Sequence, residues 1–70
     1  MTRQELINEL NKKGIPQDMY TFDEEYPHDK FVLFFNNKQW NVYYCEKGIK
    51  FDEKSFLSEK HAYSYLLSLL

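Results

Sequence analysis

The chain predicts an α+β domain: an N-terminal helix, an antiparallel β-meander of three or four strands and a C-terminal helix, packed as a two-layer sandwich. Three observations carry that expectation. A helix-start and a helix-stop signal enclose residues 2–16, two aromatic and β-branched runs flank turn residues between 31 and 52, and apolar residues at helical spacing fill 58–70.

In the opening segment, Thr2-x-x-Glu5 is a capping box: the threonine hydroxyl accepts from the Glu5 backbone N–H, and the glutamate side chain reaches back. Leu6, Ile7 and Leu10 make the apolar stripe. Gly14 stands where a left-handed residue ends a helix, Ile15 is placed to fold back onto Leu10 in a Schellman ending, and Pro16 forbids continuation. Residues 19–22 form a candidate short strand with Tyr20 and Phe22 on one face, and residues 23–30, charged and broken by Pro27, form a loop.

The stretch 31–52 fixes a register. With Asn37-Lys38 at the tip of the first hairpin, Phe35 faces Trp40, Leu33 faces Val42 and Phe31 faces Tyr44, so all six share one face. A slip of one residue would pair Phe35 with Asn41 and scatter the set. For the second turn, Glu46-Lys47 at the tip pairs Tyr44 with Ile49 and Val42 with Phe51, with Gly48 relieving left-handed geometry. The other face carries Val32, Phe34, Asn41, Tyr43, Cys45, Lys50 and Asp52.

Ser58 is an N-cap for the last helix, Glu59 suits the positive end of its dipole, and Leu57 is placed to staple onto Ala62. Ala62, Tyr65, Leu66 and Leu69 form the expected core stripe, widened by Tyr63, Leu67 and Leu70. A helix this apolar needs contact on more than one side. Both helices are expected on the Phe31/Leu33/Trp40/Val42 face, with helices on both faces as the alternative.

Seventy residues make one domain with a small core. A lone cysteine, Cys45, rules out an internal disulfide and fits a reducing cytoplasm, while 19% aromatic content supplies buried mass instead. The start Met1-Thr2-Arg3-Gln4-Glu5 is polar, so no secretory leader is expected, and no apolar run approaches a membrane span. A net charge of −2 and a pI near 5.6 argue against nucleic acid as the partner. The acidity is local: Asp18, Asp23, Glu24, Glu25 and Asp29 have no lysine or arginine among them.

Chemistry is not expected. Glu24, Glu25, His28 and Asp29 match no zinc spacing and are explained by solvation. Cys45 fits the role of a small hydrophobe and His61 that of a surface helix residue. Both glycines serve caps or turns, so no phosphate loop and no cofactor is expected.

Three surfaces stand as partner-binding candidates. The first is the acidic 18–29 segment, which is equally read as a solvated loop. The second is the other sheet face, with Phe34 and Tyr43 beside Lys50, unless a helix covers it. The third is the flank of the last helix, read first as core and otherwise as a homodimer seam, leaving a monomer or a weak homodimer.

Trp40-x-Val42-Tyr43-Tyr44-x-Glu46-x-Gly48, followed by Phe56-x-Ser58-Glu59-x-x-Ala62-x-x-Tyr65-Leu66, resembles small bacterial immunity proteins encoded beside polymorphic toxins, including those of contact-dependent growth inhibition. The helix ending in Gly14-Ile15-Pro16 fits the same pattern. The resemblance implies binding and neutralisation of a cognate toxin domain. Where that toxin is a nuclease with a basic groove, the acidic segment is suited to plug it. A homo-oligomeric structural or regulatory protein, and a small enzyme using Cys45 or His61, are the rival readings.

Overall fold

Both helix-start signals are realised. The Thr2 hydroxyl accepts from the Glu5 N–H at 3.1 Å, and the Thr2 N–H donates to the Glu5 carboxylate at 2.8 Å. These bonds hold the Glu5 carboxyl below its ordinary range. The Ser58 hydroxyl accepts from the His61 N–H at 3.4 Å. The computed structural model describes residues 1–70, whose elements are α1 (Arg3–Lys12), a 3₁₀ turn (Gln17–Met19), β1 (Tyr20–Thr21), β2 (Lys30–Asn36), β3 (Gln39–Glu46), β4 (Ile49–Phe56) and α2 (Glu59–Leu69). The architecture is the expected α+β one.

The stop of α1 is the predicted Schellman motif. Gly14 has φ +77, the Ile15 N–H reaches the Leu10 carbonyl at 3.0 Å and the Gly14 N–H reaches Asn11 at 3.0 Å. Ile15 then packs onto the core.

One sheet holds all four strands in the order β1-β2-β3-β4. The first hairpin has the predicted register, pairing Phe35 with Trp40, Leu33 with Val42 and Phe31 with Tyr44. Its tip residues Asn37 (φ +54) and Lys38 (φ +62) supply the two positive φ angles of a type I′ turn.

The second hairpin differs from expectation. Its tip is Lys47-Gly48 (φ +52 and +77), so Glu46 pairs with Ile49 and Tyr44 with Phe51. Glycine is used inside the turn, where two left-handed residues are needed, and not after it. A bulge then intervenes between Val42 and Tyr44, with Asp52 at φ +53 on the opposing strand, and Val42 pairs with Lys54 instead of Phe51. The bulge brings Phe56 opposite Trp40, where Phe56 packs against the helix-side core.

β1 also departs from a meander. It pairs parallel to β2, Tyr20 with Phe31 and Thr21 with Val32, so the sheet is mixed. Parallel neighbours need a crossover in place of a tight turn, and residues 22–29 provide it.

Both helices lie on the predicted face. Leu6 and Leu10 of α1 join Tyr20, Leu33, Val42, Ala62, Tyr63 and Leu66 in one buried cluster. Each leucine so buried is worth about 1.5–3 kcal/mol. Within α2 the stripe is rotated from the expected one: Tyr63 is central, edge-on to Trp40 at 6.1 Å, while Leu69 is 42% exposed. The expected staple is not made, since Leu57 is 83% exposed. Lys13 donates to the Leu67 carbonyl at 3.0 Å and so satisfies the end of α2 from α1.

Candidate functional site

Val32, Tyr43 and Cys45 point away from the helices and form a second buried cluster, with Phe34 packed at its side. No helix covers them. The crossover of residues 22–29 does, through Glu25, which answers the alternative left open by sequence: the middle of the acidic segment lies over the second sheet face.

The crossover is fastened at several points. Its start is tied to β1 and α1: the Asp23 N–H reaches the Thr21 hydroxyl at 3.3 Å, and the Arg3 guanidinium lies 4.8 Å from the Phe22 ring centre. Over the sheet, the Tyr43 hydroxyl donates to the Glu25 carbonyl at 2.6 Å. Lys50 donates to the Glu25 carboxylate at 3.3 Å and lies 3.6 Å from that of Glu53. Its ammonium stands 4.7 Å from the Tyr43 ring centre and 5.2 Å from that of Tyr26. Pro27 is buried, and Asp29 at φ +52 turns the chain into β2.

These contacts set the local electrostatics. Burial pushes the Tyr43 phenol well above the usual tyrosine range, and the Glu25 charge adds to the effect. Burial alone would lower the Lys50 ammonium, but its bond to Glu25 and the nearby Glu53 carboxylate raise it overall. The Lys50 ammonium is therefore held charged.

The predicted site residues divide accordingly. Tyr43 is 1% exposed and its hydroxyl is occupied, so it supports the crossover from beneath and offers no outer surface. Phe34 is half-buried at the rim of the same cluster, beside Asn41, whose side chain donates to the Phe34 carbonyl at 3.3 Å. Glu25 is turned inward. Asp23, Glu24 and Asp29 project outward from the fastened loop, and Asp18 is exposed on the 3₁₀ turn before it. Asp23 has only a long, solvent-exposed contact of 3.9 Å to Arg3.

Sequence reasoning missed Lys50 and Glu25 as fasteners and the burial of Pro27. Lys50 alternates onto the same face as Tyr43, and that shared parity was the available signal. It also missed an open groove on the helix side, floored by Phe31, Tyr44, Phe51 and Leu69 and bordered by Glu46 and Asp52. The groove follows from the two-residue shift at the second turn, which a correct tip assignment would have given.

Cys45 is buried on the crossover side of the sheet, while His61 is exposed on α2 across it. The rival nucleophile and base are not brought together. No group of three or more histidine, cysteine and acidic side chains is arranged to hold a metal ion. No helix is long and apolar enough to cross a membrane. Comparison with known protein families, with curated proteins and with solved structures finds no significant match.

Proposed function

We propose that this chain is a cytoplasmic immunity protein that binds and neutralises a cognate bacterial toxin domain, with a basic nuclease site as the fitting target. One observation carries the reading: an acidic crossover is fastened to the sheet through Tyr43 and Lys50, with Pro27 buried, while Asp23, Glu24 and Asp29 are exposed. A loop ordered before binding loses little entropy on contact, so its charges act as a template for a basic groove. Charge complementarity of this kind also speeds encounter.

The test uses the toxin domain encoded beside the gene. Co-expression with the wild-type chain should protect cells from it and yield a stoichiometric complex. The triple variant Asp23→Lys, Glu24→Lys, Asp29→Asn should bind at least about tenfold more weakly, in line with several rim charges reversed or removed. Its thermal midpoint should stay within a few degrees of wild type, because none of the three side chains is a fastener and asparagine tolerates the positive φ at position 29. Unchanged affinity would remove the crossover from the interface, and absence of protection by the wild type would end the immunity reading. The rival homo-oligomer draws on the exposure of Leu69. Sedimentation as a monomer at micromolar concentration would exclude it.

A further inference from the structure

The helices leave one end of their own sheet face uncovered. Phe31, Tyr44 and Phe51 lie side by side across β2, β3 and β4, paired in register, with the Phe31 and Tyr44 rings edge-on at 4.9 Å. Phe51 is 43% exposed, and Leu69 from the last turn of α2 closes one side of the strip. The polar residues bordering the open part are Glu46 and Asp52, both carboxylates. Lys54 borders only the narrower part, where Tyr65 joins the lining. Burial raises the Tyr44 phenol, and the charges of Asp29 and Glu46 raise it further, so Asp29 adds to the negative field over the strip.

An aromatic floor with a carboxylate rim has a definite complement. A guanidinium stacks on an aromatic face and donates paired hydrogen bonds to a carboxylate at its edge, which an ammonium does less well. A second copy of the chain fits poorly: a twofold contact centred on the strip would bring the carboxylates Glu46 and Asp52 of one copy towards the same two carboxylates of the other. We infer that this groove is a protein-docking site that receives an arginine side chain of a partner over Phe31, Tyr44 and Phe51, between Glu46 and Asp52. The site is separate from the outward acids Asp23 and Glu24, shares only the field of Asp29 with the crossover, and does not depend on the partner being a toxin.

The test is an amide chemical-shift titration of the ¹⁵N-labelled chain with Ac-Leu-Arg-NH₂ and with its neutral counterpart, in which citrulline replaces arginine. The arginine peptide should shift Phe31, Tyr44, Phe51 and Leu69. It should bind about fivefold or more tightly than the citrulline peptide, the size expected of an exposed cation–π and ion-pair contribution. The double variant Glu46→Gln, Asp52→Asn should erase that preference while keeping the fold, because asparagine tolerates the positive φ at position 52. Equal binding of the two peptides, shifts confined to residues 23–29, or shifts at these residues that grow with protein concentration without peptide would each overturn the proposal.

Discussion

Tyr43 is the residue on which the crossover most directly depends. Its ring lies in the second core and its hydroxyl holds the Glu25 carbonyl at 2.6 Å, so one side chain joins sheet to loop. Tyr43→Phe keeps the ring and removes the bond, and should lower unfolding stability at neutral pH by about 1–1.5 kcal/mol. The pH dependence has a definite sign. The phenol is raised in the folded state, so its contribution is complete below the ordinary tyrosine value of about 10 and is lost as pH rises through the folded value. Lys50 is also raised and acts in the same direction. Urea midpoints measured at neutral pH and above pH 10 should therefore show the gap between wild type and Tyr43→Phe narrowing with alkalinity. A gap that widened would contradict the role given to the hydroxyl. None of this was legible beforehand, because Tyr43 in an alternating strand looks the same whether its face is bare or covered.

At the scale of elements, legibility followed the strength of local chemistry. The capping box, the Schellman glycine and the first hairpin were readable because each sets several residues in fixed spacing. The second hairpin was misplaced by its tip. Lys47-Gly48 satisfies a turn that needs two positive φ angles, and the apolar pairs Tyr44/Ile49 and Tyr44/Phe51 are equally acceptable to a pattern of alternation. The bulge had a signal in retrospect: Phe51 and Phe56 are an odd number of positions apart yet both lie on the helix side, which requires a change of parity between them. The parallel pairing of β1 had none, since two residues carry too little pattern. Lys38 in the first turn has φ +62, a conformation that costs a lysine about 1–2 kcal/mol. Lys38→Gly creates an Asn-Gly turn and should raise the thermal midpoint by a few degrees, the net of relieved strain and glycine's entropy. A fall in midpoint on calorimetry would show that the turn is not under that constraint.

On the scale of the molecule, the sheet separates two cores of unequal size. The helix side buries eight apolar residues, whereas the other side buries Val32, Tyr43 and Cys45 beneath the crossover alone. The smaller side should therefore open on its own. Lys50→Met removes the ammonium that binds Glu25 and faces both rings. Its effect should be faster amide exchange within residues 22–29, by a lowering of local opening free energy of about 1 kcal/mol, with α1 and α2 still exchanging near the global limit. Uniform acceleration throughout the chain would mean that the crossover and the main core unfold together. The parallel pairing of β1 has a last consequence. Because residues 22–29 must carry the chain from the end of β1, beside Val32, back to the start of β2 at Lys30, their path is dictated by topology, while the identities of Asp23 and Glu24 are not. The fold thus separates a frame that must be inherited intact from a few letters that are free to be rewritten, and a new recognition specificity is within reach of substitutions that the sheet never feels.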